Sequence, residues 1–414
     1  MNFNEKEYID RLVDKNIEEY LSVFGAISVE GPKWCGKTWT SSKHARSVKY
    51  LDDEQTKALA ELDLDLILNE TQPELIDEWH LVPKVWDKVR RKCDEDGGKG
   101  KYILTCSTQL NDEKNKEVFH SGAGRIGKIK MYTMSLYESG DSLGEASLEA
   151  MYFDVQKNCN VKKKSIEDIA YLIIRGGWPS NLKNSNELCG RIPKSYIESI
   201  LDKDMNDDKK RDRSKMRMLI GSLARNESTV VSNSVINNGL VSRITLIDYL
   251  DTLNRLNLLS NQEAYSLNYR SPDRLGKSSK RHLVDPSLAC AVLGLTKDKL
   301  IKDLKTFWFL FESLVERDLR IYIEYLGGHL YHFRDNISGL EVDSILEFAD
   351  GSYAAVEIKL GYNLVDEAKE TLLRFASNMI VKPKFMCIIT GNFLSVVKDP
   401  ETGIYILPIT ALKP

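Results

Sequence analysis

Seven cysteines in 414 residues, odd in number and never spaced as C-x-x-C, provide neither a disulfide framework nor a four-thiolate zinc site. No run of about 18 apolar residues occurs, so no membrane-spanning helix is expected. The opening "MNFNEKEYIDRLVDKN" is polar and acidic, unlike a signal peptide, and with the scattered cysteines it points to reduced thiols in a cytoplasm. Internal repeats and long low-complexity tracts are missing too. Basic excess is also lacking: 58 Lys and Arg stand against 61 Asp and Glu, net −3, so nucleic acid could be held only by local basic patches. What remains is an ordinary globular balance, 42% hydrophobic and 29% charged. The chain is too long for one core, and two to four domains are expected.

Three regions of different character follow one another. Up to about residue 140, short apolar strands ("FGAISVEG", "SVKYLDD", "PELIDEWH", "KYILTCST") alternate with helical segments, the pattern of a parallel sheet covered by helices. Residues 141–214 read as a helical linker, interrupted by a Gly-Gly-Trp-Pro turn at Gly176 to Pro179. Residues 215–298 read as three helices and a β wing, "LLSNQEAYSLNYR", suggesting a winged-helix unit. Its last helix would bury Ile244, Ile247, Leu250 and Leu253 on one face. From 299 to 414 an amphipathic helix precedes strands "HLYHFR", "LEVDSILEFA" and "YAAVEIKL", the last two joined by an Asp-Gly turn; a further helix and two strands follow. The expected fold class is multidomain α/β.

The stretch "VEGPKWCGKTWT" contains Gly31-x-x-x-x-Gly36-Lys37-Thr38, a phosphate-binding loop between a strand and a helix. Backbone N–H groups of such a loop surround phosphates, Lys37 reaches the β and γ phosphates, and the Thr38 hydroxyl ligates Mg²⁺. "LIDE" ends another strand in two acids: Asp77 suits the Mg²⁺ shell, and Glu78 suits orienting or deprotonating water. Ser107, ending "ILTCS", is expected beside the γ phosphate. Arg125 in "GAGRIG" is either a charge stabiliser, in its own site or a neighbouring subunit's, or an ordinary surface arginine.

"GPKWCGKT", "LIDEWHLVPKVWDKVR", "YILTCSTQ" and "GRIGKIKMYTMSLYE", with "RGGWPS" and "SSKRHLVDPSLA" further on, resemble a prokaryotic family that joins a compact AAA-type ATPase domain to a C-terminal DUF4143 domain. The resemblance covers nearly the whole chain. It implies that Gly31, Pro32, Lys33, Trp34, Cys35, Gly36, Lys37 and Thr38 bind ATP and Mg²⁺. It further implies that Asp77 and Glu78 form the acidic pair and that Ser107 is the sensor. Trp34, Cys35 and Cys106 depart from the residues usual at their positions.

The resemblance also directs attention to Asp343 and to Glu357-Ile358-Lys359, similar to the Asp … Glu-x-Lys set of PD-(D/E)XK nucleases and of restriction-endonuclease folds. Alternation along the strand would turn Glu357 and Lys359 one way and Val356 and Ile358 into the core. In such a site Asp343 and Glu357 hold Mg²⁺ or Mn²⁺, Lys359 stabilises phosphate charge, and Glu312 adds a carboxylate. The same spacing also arises by chance on half-exposed strands.

"DKKRDRSKMR" and "RLGKSSKRH" are candidate phosphate-backbone contacts or solvated loops. Arg243, Thr245 and Arg255 would face DNA if the third middle helix read a groove, but Asp248 and Asp251 argue for packing instead. His329 and His332, three apart on a strand, face opposite ways and do not form a metal pair. Two functions are therefore expected: an ATPase controlling a Mg²⁺-dependent nuclease acting on DNA, or an ATP-dependent switch that binds a partner protein or nucleic acid and cuts nothing. A homo-oligomer is plausible for an AAA-type domain.

Overall fold

The computed structural model describes residues 7–95, 97–202, 205, 210–266, 278–335 and 337–414. It divides into two compact units, one of Met1–Thr133, Asp204–Arg211 and Ile247–Leu258, the other of Met134–Lys203, Asp212–Leu246 and Leu259–Pro414. Among the described residues no helix is long and apolar enough to cross a membrane.

The first unit is built on five parallel strands: Ala26–Glu30 (β1), Ser47–Tyr50 (β2), Glu74–Asp77 (β3), Tyr102–Cys106 (β4) and Ile126–Lys130 (β5). Their order is β2-β3-β4-β1-β5. Alternate residues of three strands feed opposite cores. Ile27, Val29, Leu75 and Ile103 pack with Ile17 and Met131, while Ala26, Ile76, Tyr102 and Leu104 pack with Trp79, Val85, Trp86 and Val89. A sheet covered on both faces must read as near-continuous apolar strands, as these do. Each buried aliphatic side chain contributes about 1.5–3 kcal/mol. The chain alternation expected from the sequence is therefore present. The helices Val13–Val23, Glu54–Leu62 and Lys84–Glu95 complete the unit.

The second unit carries an eight-stranded mixed sheet. Its centre is two antiparallel hairpins, His329–Arg334, Glu341–Glu347 and Tyr353–Lys359, extended by the parallel strands Met386–Thr390 and Tyr405–Pro408. The Asp-Gly turn lies where expected, with Gly351 at φ 80, a conformation that favours glycine. The helices Leu304–Tyr325 and Val365–Asn378 pack on this sheet. Val365, Ala368, Leu372 and Phe375 join Tyr353, Ala355 and Ile388 in its core. The five strands expected from 329 onward are present; Ser395–Lys398 and the edge strand Cys159–Asn160 were not expected.

"RGGWPS" is more than a turn. Gly177 N–H donates to Asp285, and Trp178 Nε1 donates to the Ser287 hydroxyl at 2.9 Å, so the two middle motifs dock on each other. A Cβ on Gly177 would lie 2.0 Å from the Met134 carbonyl oxygen, which is why glycine stands there. Asp285 also pairs with the buried Arg317, which pairs in turn with Asp318.

The middle helix Arg243–Arg255 differs from expectation in its buried face. Leu246, Tyr249, Leu250 and Leu253 are buried, whereas Ile244 is 83% exposed and Ile247 46% exposed. The spacing is still helical, but the stripe is rotated: Leu246, Tyr249, Leu250 and Leu253 follow i, i+3, i+4, i+7, whereas Ile244, Ile247, Leu250 and Leu253 recur every three residues and drift around the helix. The expected wing is also different. Its Glu263–Ala264 segment pairs with Tyr331 and His332 as an edge of the large sheet, and residues 267–270 of it lie outside the described residues. A short antiparallel pair, Thr229–Val230 with Lys280–Arg281, stands in its place.

Candidate functional site

β1 delivers the phosphate loop. A Cβ on Gly31 would come within 2.2 Å of the Met131 carbonyl oxygen, so the loop can leave the sheet here only with glycine. Gly36 at φ 104 turns the chain into the helix Lys37–His44. Lys37 Nζ donates to the carbonyls of Gly31 at 3.0 Å and Pro32 at 2.9 Å. Cys35 is buried and Trp34 is half exposed at φ 64. From below, the buried Arg11 braces the loop, donating to the Cys35 carbonyl and the Tyr132 carbonyl, both at 2.9 Å. Nothing in the sequence singled Arg11 out, because its role is to hold backbone oxygens rather than to match a motif.

The acids converge on the loop as "LIDE" suggested. Thr38 Oγ1 donates to Asp77 Oδ1 at 3.0 Å, and Thr105 Oγ1 donates to the same oxygen. A hydroxyl beside a carboxylate is the oxygen donor set that Mg²⁺ takes, so Thr38 and Asp77 fit that ion. Glu78 follows at φ 54, left-handed backbone that a non-glycine residue adopts at a cost of order 1–3 kcal/mol. Its Oε2 accepts from Ser107 N–H at 3.0 Å and Ser107 Oγ at 2.9 Å, and His80 Nδ1 lies 3.1 Å away. Burial pushes the Asp77 carboxyl up, against the hydrogen bonds from Thr105 and Thr38. For Glu78 burial also pushes up, but His80, the Lys37 charge and the Ser107 N–H outweigh it and hold the carboxyl at about 2. Glu78 is thus ionised and firmly held.

The Ser107 loop has a second attachment. Asn257 Nδ2 donates to the Ser107 carbonyl at 3.3 Å, and Gln109 N–H donates to the Arg255 carbonyl at 2.9 Å. Arg255 closes the middle helix Arg243–Arg255, and Asp248 on that helix is paired with the buried Arg211. Asp248 therefore serves packing, not groove reading.

Arg125 lies elsewhere. β1 and β5 run parallel with Ala26 opposite Ile126, so Arg125 precedes β5 at the edge where β1 begins, while the phosphate loop leaves the other end. Five residues of strand separate them, roughly 15 Å at about 3.3 Å per residue. Arg125 pairs with Asp94 at 2.6 Å and cannot reach the phosphates of its own chain.

In the second unit Asp343, Glu357, Lys359 and Glu312 do gather. Asp343 Oδ2 accepts the Ile358 N–H at 2.7 Å, and Lys359 Nζ pairs with Glu357 at 2.8 Å. The strand is not half exposed as expected. Tyr353 to Ile358 are all buried, Glu357 with 3% exposure, because helices cover the sheet. Burial and the Asp343 charge push Glu357 up to about 8. Beside these residues is a cation that sequence reading had placed on the surface. Lys280 is buried, with its Nζ on Glu312, on Glu316 at 2.8 Å and on the Asp343 carbonyl at 3.0 Å. His282 Nε2 lies 2.9 Å from Glu316, and its Nδ1 lies 3.3 Å from Glu227. Burial and the neighbouring acids push Glu312 well above its usual range, whereas Lys280 and His282 outweigh burial and hold Glu316 at about 2. The signals for these partners were Glu312 and Glu316 four apart on a helix and Lys280 and His282 two apart in sequence.

Among the described residues no group of three or more His, Cys, Asp or Glu side chains is arranged to hold a metal. The carboxylates of the C-terminal cluster are answered by ammonium, imidazole and backbone N–H donors, so the expected divalent ion at Asp343 and Glu357 does not fit this arrangement. His329 is exposed and His332 buried, in keeping with opposite faces.

The basic clusters are similarly occupied. In "DKKRDRSKMR", Arg211 pairs with Asp248, and Arg213 and Arg217 pair with Glu198; residues 208 and 209 lie outside the described residues. In "RLGKSSKRH", Lys280 and His282 are buried, and residues 274–277 lie outside the described residues. In the first cluster Lys210, Arg213, Lys215 and Arg217 remain exposed.

Three family profiles match separate parts of the chain: an AAA domain over residues 24–140, a domain of unknown function (DUF8612) over 166–299, and a domain of unknown function (DUF4143) over 309–412. The N-terminal part is thus an AAA-type P-loop domain. No curated protein matches. Among solved structures, the Walker-type ATPase PABY2304 of Pyrococcus abyssi is similar at 11% identity and TM-score 0.45, over 70% of this chain and 98% of that one. A STAND signal-transduction ATPase with a tetratricopeptide repeat sensor, from Pyrococcus horikoshii, is similar at 12% identity and TM-score 0.26, over 77% and 53%. A DNA replication initiation factor is similar at 14% identity and TM-score 0.22, over 59% and 86%. At these TM-scores the similarities carry no functional argument.

Proposed function

We propose that this chain is a Mg-ATP-hydrolysing switch whose nucleotide state is sensed at Ser107 and passed to the end of the middle helix at Arg255 and Asn257. The observation that carries this reading is the double attachment of the Ser107 loop, to Glu78 on one side and to Asn257 and Arg255 on the other. Bound Mg-ATP would supply the phosphoanhydride bond and the divalent charge. Gly31 to Thr38 then hold phosphates through backbone N–H groups and Lys37, and Thr38 and Asp77 hold the metal. Glu78 orients water. Held by Ser107 and His80 it is a weak base, and it gains basicity when those bonds loosen, which links chemistry to movement of the Ser107 loop. The partner acted on is a protein or a nucleic acid. ATP turnover by the purified chain and by Lys37→Ala tests the reading: turnover in the first and its loss in the second is expected, and equal turnover in both removes it.

A second reading, cleavage of DNA by the C-terminal unit, draws on the gathering of Asp343, Glu357 and Lys359. The neutralised state of those acids weighs against it. A nucleic-acid degradation assay with Mg²⁺ or Mn²⁺, with and without ATP, decides between them: ATP-stimulated cutting lost in Asp343→Asn would establish the nuclease.

A further inference from the structure

We propose that Lys280 is the resident cation of the C-terminal carboxylate cluster and that its ammonium group excludes a divalent metal from it. The proposal concerns the second unit alone and stands apart from the ATPase reading.

An ammonium group has three N–H donors and no acceptor. Lys280 Nζ meets three oxygens, Glu312 Oε1, Glu316 Oε1 and the Asp343 carbonyl, so every donor has an acceptor. These oxygens come from a helix and a neighbouring strand, the kind of convergence that oxygen-ligated metals use. Here they surround a nitrogen. Further oxygens of the cluster also face cationic or N–H groups of the protein. Glu316 Oε2 faces His282 at 2.9 Å, Asp343 Oδ2 takes the Ile358 N–H, and Glu357 Oε2 takes the Lys359 ammonium.

A Mg²⁺ or Mn²⁺ ion requires oxygens at about 2.0–2.2 Å and keeps several waters. To take Glu312 Oε1 or the Asp343 carbonyl it would have to displace Lys280, whose ammonium already holds both oxygens. Lys280 cannot step aside cheaply, being fully enclosed on the short strand Lys280–Arg281 that pairs with Thr229–Val230. The neighbouring carboxylates hold its ammonium form against burial, well above the ordinary lysine range. Three bases, Lys280, His282 and Lys359, stand among the acids Glu227, Glu312, Glu316, Asp343 and Glu357. The cluster joins five stretches of chain, around residues 227, 280, 312, 343 and 357.

The test is Mn²⁺ binding by calorimetry or spin-resonance titration on the nucleotide-free full chain, in an Asp77→Asn background that removes the N-terminal metal site. With Lys280 intact, no saturable Mn²⁺ binding is expected up to about millimolar ion. Lys280→Met, and Lys280→Gln as a polar control, should gain a Mn²⁺ site at least about tenfold tighter, abolished again by adding Glu312→Gln. Saturable binding with Lys280 intact that is lost on Asp343→Asn overturns the proposal. A folded Lys280 variant, checked by circular dichroism, that gains no site overturns it equally. If neither Lys280 variant folds, the titration of the intact chain against Asp343→Asn still decides.

Discussion

Glu78 and Ser107 lie 29 residues apart in sequence and are joined twice, through the Ser107 N–H at 3.0 Å and its hydroxyl at 2.9 Å. The strands β3 and β4 are neighbours in a parallel sheet, so their carboxyl ends place both residues above the same edge as the phosphate loop. Glu78 and Ser107, proposed above as water-positioning acid and sensor, are thereby mechanically linked, and Asn257 joins them through the Ser107 carbonyl.

Asn257→Ala tests that element at a distance from the phosphates. It removes a side-chain donor to the Ser107 carbonyl while leaving Gly31 to Thr38 untouched. The expected result is a fall in kcat of about fivefold with KM for ATP changed less than about twofold, since one neutral hydrogen bond is worth about 1 kcal/mol. A rise in KM with kcat unchanged would place Asn257 in nucleotide binding instead.

Arg317→Met should destabilise the second unit without touching either candidate site. Arg317 is buried, paired with Asp285 at 3.1 Å and Asp318 at 2.7 Å, and the variant leaves two buried carboxylates without a cation. A loss of about 3–5 kcal/mol is expected in denaturant unfolding. A loss under about 1 kcal/mol would mean the acids find other partners.

Stability should fall as pH rises from about 6.5 to 9. Burial alone would lower the His282 pKa, but Glu316 and Glu227 reverse this and hold it at about 9, against about 6.5 in an unfolded chain. The folded state therefore binds the extra proton across this window, and the contribution, complete below about 6.5, is lost as pH passes 9. Glu357, held at about 8, acts in the same direction. Denaturation midpoints across the window should show the decline, with a shallower slope in His282→Gln. An unchanged slope in that variant would assign the decline to other groups.

Much of this was legible from local pattern. The loop between β1 and its helix, the acids of "LIDE" and the C-terminal strands follow from glycine spacing and from period-two or period-3.6 burial, which are properties of a few consecutive residues. What escaped was set by distant pairing. Lys280 reads as part of a basic surface run until Glu312 and Glu316 close over it, and Arg125 reads as a phosphate partner until strand direction puts it at the far edge of the sheet. Ile244 and Ile247 extend a three-residue spacing that drifts around the helix, and the buried stripe is the tighter set of Leu246, Tyr249, Leu250 and Leu253. Arg11 and Asn257 act on backbone carbonyls, which leave no trace in side-chain spacing.

The central claim, that Glu78 drives hydrolysis of an ATP held by Gly31 to Thr38, is met most directly by Glu78→Gln. Nucleotide binding and single-turnover hydrolysis would be measured side by side in the variant and the parent. Mg-ATP affinity within about threefold of the parent is expected, with hydrolysis slower by about 10²–10⁴-fold, the usual share of a positioned base. Hydrolysis at the parent rate in the variant would contradict it.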